Sequence, residues 1–254
     1  MQLGKGSHMF FETILNRAFQ SHYTTFYAFI CTVILCVLFQ LFIFRRIARE
    51  KGVSFSFFHY IGVGVFLVYL LVVYRVTGMG TIWDIGRYDS LIRWHQVHII
   101  PFHNLQFDVP FLFLNVLMTI PLGILLPTIW PEFRKLGKVA FTGFSLSLAI
   151  EFSQLLNTRN TTIDDLLMNT LGAIIGYIIF VFLYKFFNPL TKLELRYKAK
   201  NSFVITNEGV FYMFFSFLGM FLLFNPQDVS IVAHTLADTS VTVYLRTILN
   251  SILF

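Results

Sequence analysis

Between residues 151 and 169 the chain reads EFSQLLNTRNTTIDDLLMN, a carboxylate, an amide, a guanidinium, two adjacent carboxylates and a second amide set between apolar stretches. Glu151 and Gln154 stand three apart and Asp165 and Asn169 four apart, so each pair shares a helical face. A carboxylate so placed can act as general acid or base, and a guanidinium can hold a phosphate or carboxylate group. An ionisable side chain inside a membrane span costs roughly 2.5 to 3.5 kcal/mol on insertion scales, so Glu151 must face the bundle, a partner or water and not lipid. Arg159 and Arg75 are its candidate counter-ions. Asn115, at the end of another apolar run, stands at the same depth, with Asp164 beside Asp165. The connection 75–110 can lower His98, Pro101, Phe102 and Asn104 onto the same place. Together these residues form a candidate site for an anionic headgroup at the membrane surface.

Simpler roles compete for the same residues. Thr161 and Thr162 each precede an Asp by three, the pattern of a capping box, so Asp164 and Asp165 can serve as helix-start residues alone. Glu151 and Gln154 can form a structural hydrogen-bonded pair. A Glu151–His98 acid–base pair is a further reading. His95, His98 and His103 with Glu151 and Asp165 lack the tight spacing of a metal site, and no metal or cofactor is expected. Ser147 lies one turn before Glu151 without a G-x-S-x-G around it. Nothing in the sequence indicates a nucleotide or nucleic-acid site.

The elements that must position these residues follow from composition. Of 254 residues, 56% are hydrophobic and 13% charged, with 32 Phe and a mean hydropathy of +0.71, which points to an integral membrane protein. The expected fold is an all-α polytopic bundle with about six transmembrane helices, near 24–44, 57–74, 111–130, 138–156, 165–187 and 209–224. Residues 229–254 read as an interfacial or re-entrant helix. Basic residues fill every second connection: Arg45, Arg46, Arg49 and Lys51, then Arg134, Lys135 and Lys138, then Lys185 to Lys200. These sides are expected to be cytoplasmic, which puts both termini and the 151–169 stretch outside. GSHM at residues 6–9 reads as the scar of an expression tag, so residues 1–8 are expected to be a tag remnant, with Met9 the expected start and no cleavable signal after it. The expected organisation is 1–8, an N-terminal segment 9–56 with the first span, a membrane core 57–187, and a C-terminal part 188–254.

Other residues carry structural expectations. Cys31 and Cys36 share one helix and cannot pair. Gly172 and Gly176 form GxxxG, expected to let two helices approach closely. Pro121 and Pro127 are expected to bend the third span. Trp83, Trp94 and Trp130 read as interfacial anchors.

The stretches HIIPF at 98–102, LNVLMTIPLGILLP at 114–127 and SLAIEFSQLLNTRNTTIDDLLMNTLGAIIG at 147–176 together resemble the VanZ-like family of bacterial membrane proteins, over roughly residues 65 to 187. The resemblance marks Asn115, Pro121, Gly123, Glu151, Gln154, Asp164, Asn169, Thr170, Gly172 and Gly176. The arginine that the namesake carries before its N-L-x-P-F has no close counterpart, Gln96 and His98 occupying that neighbourhood. The resemblance implies a protein of the bacterial plasma membrane associated with teicoplanin resistance and no established reaction. The expected partner is a membrane lipid or a lipid-linked cell-wall precursor, bound or modified at the outer leaflet. The alternatives are a non-catalytic shielding protein and a lipid transporter; the scarcity of polar residues deeper in the spans argues against transport.

Overall fold

A computed structural model describes residues 23–88, 96–98, 100–102, 105–186 and 202–225, the side chains of 105–110 excepted. Their regular structure is almost entirely helical: α1 (Tyr23–Glu50), α2 (Phe57–Thr77), α3 (Leu105–Ile129), α4 (Leu136–Gln154), α5 (Ile163–Phe186) and α6 (Glu208–Leu223). Each coincides with one of the expected apolar runs, and the chain is an all-α membrane protein. Among the described residues, four segments are long and apolar enough to cross a membrane: Tyr23–Glu50, Phe57–Asp84, Phe111–Ile129 and Ile163–Phe186. The other two expected spans are helices of a different kind. α4 is diluted by Lys138, Thr142, three serines and Glu151, and α6, with 16 residues, reaches about 24 Å against the roughly 30 Å of a hydrocarbon core. Asn104, His95, His103, Arg93, Trp94, the first 22 residues and the segment 229–254 lie outside the described residues.

The helix ends have local causes. Ser56 caps α2, its Oγ accepting from Phe58 N at 3.3 Å. The same helix stops at Gly78, whose φ of +65° is the left-handed conformation glycine adopts without a steric cost. α1 contains a π-helical turn, Phe39–Phe44, and α3 continues through both Pro121 and Pro127. Many phenylalanines stand exposed, among them Phe42, Phe57, Phe141 and Phe203, each at 70% or more. In water such a surface is a liability; in hydrocarbon it is the solvent-facing side, which accounts for the phenylalanine content.

α3 and α5 pack with their backbones in close approach. A Cβ added at Gly172 would lie 2.1 Å from Thr119 Oγ1 and 2.2 Å from the Val116 carbonyl oxygen. One at Gly176 would lie 2.1 Å from Ile120 O, and one at Gly123, on the facing helix, 2.1 Å from Ala173 O. Each backbone thus sits in the groove of the other, as the GxxxG spacing leads one to expect. This contact holds the residues of the candidate site that α3 and α5 contribute.

A buried polar cluster ties α2, the end of α3 and the start of α6. Glu208 Oε1 lies 3.0 Å from His59 Nε2 and Glu208 Oε2 accepts from Trp130 Nε1 at 2.9 Å. His59, Trp130 and Glu208 are all fully buried. Trp130 is therefore not the interfacial anchor its position suggested: it fills the interior, edge-on to Phe66 at 5.0 Å between ring centroids. Trp83, half exposed, donates from Nε1 to Leu222 O at 3.0 Å. Cys31 and Cys36 are buried and form no disulfide with each other, as expected.

The chain divides into two compact units, one of Cys31–Leu223 and one of Met1–Ile30 with Phe224–Phe254. The candidate site lies wholly in the first. In the second, the described residues are the opening turns of α1 and Phe224–Asn225, with the Tyr27 and Phe224 rings 5.6 Å apart.

Candidate functional site

The end of α4, the start of α5 and the N-terminal half of α3 surround a cavity of about 610 Å³, within the range of small-molecule and headgroup sites. His98, Asn115, Glu151, Gln154, Arg159, Asp164, Asp165 and Asn169 all line it. Residues from two loops and three helices thus meet at one place. The meeting depends on a short parallel pairing of β1 (Val97–His98) with β2 (Thr161–Thr162), His98 opposite Thr162. That pairing lowers the long 75–110 connection onto the helix ends.

Glu151 is 6% exposed. Its Oε2 accepts from the backbone N–H of Thr162 at 3.0 Å, and Thr161 Oγ1 donates to the Glu151 carbonyl at 3.4 Å. The carboxylate is therefore fixed by the residue that pairs with His98, which sets the imidazole's strand beside it. Thr162 also caps α5, its Oγ1 accepting from Asp165 N at 3.1 Å. Half of the expected capping box is thus present, with the threonine as the cap.

The two aspartates do more than begin α5. Both carboxylate oxygens of Asp164 accept from Phe102 N, at 3.0 and 3.1 Å. Phe102 has φ +57°, an uncommon conformation for a bulky residue, and the carboxylate holds it there. Asp165 Oδ1 accepts from Asn115 Nδ2, joining α5 to α3. Each aspartate fastens a different wall of the cavity.

The amides are only half satisfied. Gln154 donates from Nε2 to the Thr77 carbonyl at 2.8 Å, and Asn169 donates from Nδ2 to Ser147 Oγ at 2.9 Å. Gln154 Oε1 and Asn169 Oδ1 are buried without a hydrogen-bond partner among the described residues. A carbonyl can only accept, so the Thr77 bond fixes which end of the Gln154 amide is nitrogen and leaves its oxygen as the open acceptor. The structural Glu151–Gln154 pair expected from their spacing does not form; Glu151 turns to Thr162 and Gln154 to Thr77. Ser147 serves Asn169 as a partner across the α4–α5 contact.

Arg159 stands exposed at the rim, its guanidinium passing over Gly78, where an added Cβ would come 2.7 Å from Nε. Asn157 braces this loop: its Nδ2 donates to Gly78 O at 2.9 Å and its Oδ1 accepts from Arg159 N at 2.8 Å. Arg75 is not part of the cavity. It is exposed, while the next two residues, Val76 and Thr77, line the wall. At about 100° per residue, its own position on α2 is turned away from the face that Val76 and Thr77 present. Asn104 lies outside the described residues.

Spacing alone does not reveal the Thr162 N–H, the Thr77 carbonyl or the Phe102 backbone as site groups, because backbone groups carry no residue-type signal. The tandem threonines before the aspartates are the one visible clue to the first. The His59–Glu208–Trp130 cluster was equally hidden: its members are 149 and 78 residues from Glu208 along the chain. A Glu at the start of an apolar helix was its only local mark. Among the described residues no group of three or more His, Cys, Asp or Glu side chains converges as a metal site would require.

Residues 66–185 match the model of the VanZ/LLP1 family, and this segment of the chain, which carries α3, α4, α5 and the whole cavity lining, is VanZ-like. No curated protein and no solved structure matches the chain.

Proposed function

We propose that this VanZ-like membrane protein binds the headgroup of a cell-envelope lipid, or of a lipid-linked cell-wall precursor, in the cavity at the ends of α4 and α5. On the proposed topology this cavity opens to the outer face of a bacterial plasma membrane. The observation that carries the reading is the buried carboxylate of Glu151 on a cavity of about 610 Å³ that also holds two open amide acceptors. Buried polar groups are retained against a desolvation cost when something satisfies them, and a lipid headgroup carries the polar groups to do so.

If the bound headgroup is also modified, Glu151 is the acid or base, with His98 on the neighbouring strand as its candidate partner. Asp164 and Asp165 then act as positioning residues, since their carboxylates are engaged by Phe102 N and Asn115. Arg159 receives the anionic part of the headgroup at the rim.

The physiological consequence proposed is reduced action of lipoglycopeptides, whose lipid tail works at the membrane surface where this cavity would lie. Expression in a susceptible Gram-positive host should raise the inhibitory concentration of teicoplanin more than that of vancomycin, and Glu151→Gln should abolish the increase. Equal sensitivity of expressing and empty-vector cells would remove the resistance role.

A further inference from the structure

The polar groups of the cavity are sorted by sign and depth. The deep groups accept: Glu151, Gln154 and Asn169 are each at most 6% exposed, and Gln154 Oε1 and Asn169 Oδ1 are without a donor among the described residues. Asp165 adds a second carboxylate to the same wall. The arginine is at the opposite extreme, exposed at the rim on the 157–160 loop, and it is the sole Lys or Arg side chain among the described lining residues. An anion entering first would meet carboxylates and bare carbonyl oxygens, with only repulsion from each. A hydrogen-bond donor with positive charge would satisfy the open acceptors and offset the carboxylates together.

We propose that the cavity takes a zwitterionic aminoalkyl phosphate headgroup, ammonium end first. The ammonium sits among Glu151, Gln154 Oε1 and Asn169 Oδ1, and the phosphate stays at the rim beside Arg159. A primary ammonium carries three donors and no acceptor, which suits a floor that offers acceptors from two helices. This inference rests on the headgroup-binding reading above and specifies the ligand's charge and its orientation. A hydroxyl-ended phosphate headgroup can satisfy the amide oxygens but leaves the carboxylates without a counter-charge.

The test uses the full-length protein purified in a mild detergent and two short-chain lipids that differ only in the headgroup end, dihexanoyl phosphatidylethanolamine and dihexanoyl phosphatidylglycerol. Binding is read by native mass spectrometry and by titrated thermal shift. The amine lipid should bind at least about tenfold more tightly than the hydroxyl lipid, in keeping with a charge-assisted contact in a buried site. Glu151→Gln should reduce that preference to about threefold or less, and Gln154→Leu should weaken the amine lipid more than the hydroxyl lipid. Arg159→Ala should weaken both lipids by the same factor and leave the preference intact. Variants that melt within a few degrees of the parent are compared, and Gln154→Glu serves if Gln154→Leu does not fold, with a tighter grip on the amine lipid expected. Equal binding of the two lipids, or preference for the hydroxyl lipid, overturns the ammonium assignment while leaving headgroup binding in place. Binding of neither lipid at millimolar concentration overturns both.

Discussion

Replacing Gly172 with Ala tests whether the close α3–α5 contact holds the cavity together. The new Cβ would lie 2.1 Å from Thr119 Oγ1 and 2.2 Å from Val116 O, about 1.2 Å short of an ordinary contact of roughly 3.4 Å. Thr119 can rotate, but only by giving up its bond to Asn115 O at 3.0 Å. Val116 O is backbone and moves only with the helix. α3 and α5 must then separate by about 1 Å at this level, an overpacking that costs about 1–3 kcal/mol, and the rigid carbonyl places it toward the upper end. The separation falls one turn below Asn169 and two turns below Asp165, so the Asn115–Asp165 bond that closes the cavity wall lengthens as well. Gly64→Ala is the internal control: it lies exposed on α2 with no atom within 4 Å of a new Cβ, and alanine in a helix is favoured by about 0.5–1 kcal/mol. Thermal unfolding of both variants in one detergent should show Gly172→Ala melting several degrees below the parent and Gly64→Ala at or slightly above it. Headgroup binding should weaken in the first and not in the second. The reasoning is refuted if Gly172→Ala melts within a degree of the parent, or if Gly64→Ala falls as far.

Glu151→Gln keeps an acceptor for Thr162 N and should leave the melting temperature nearly unchanged while weakening the binding of the amine headgroup and removing the resistance phenotype. Asp164→Asn retains one oxygen for Phe102 N and should have a smaller effect on both, measured on the same preparations. Glu208→Leu orphans the Trp130 N–H and the His59 ring nitrogen in the interior, at about 1–3 kcal/mol for each unsatisfied group. It should lower the melting temperature by several degrees, more than Trp130→Phe, and leave the headgroup preference of the surviving folded fraction unaltered. For topology, single cysteines at Asn160 and Leu136 on a background lacking Cys31 and Cys36 should differ toward a membrane-impermeant thiol reagent in intact cells. Asn160→Cys should label and Leu136→Cys should not, and equal labelling would rule out the proposed orientation.

The helices were legible in the sequence because lipid imposes a length and a polarity on each of them separately. Runs near 57–74 and 165–187 became Phe57–Thr77 and Ile163–Phe186 without help from any distant residue. The GxxxG contact was legible too, since two missing side chains on one face leave a groove whatever fills it. The common depth of Glu151, Gln154, Asp165 and Asn169 followed from chain distance to the helix ends, which is a one-dimensional quantity.

Rotation about the helix axis is not one-dimensional, and there only the tertiary structure decides. Arg75 and Thr77 stand at nearly the same depth, yet one is exposed and the other lines the cavity, because packing against neighbouring helices sets the phase of α2. The same holds for bonds made by backbone groups: Thr162 N to Glu151, Gln154 to the Thr77 carbonyl, and Phe102 N to Asp164. Each joins elements from separate parts of the chain through atoms every residue possesses. Glu208, met by His59 from α2 and by Trp130 just past the end of α3, is the clearest case. Its carboxylate stands in the interior because two partners converge on it there, and convergence is a property of the folded bundle and not of any segment of it.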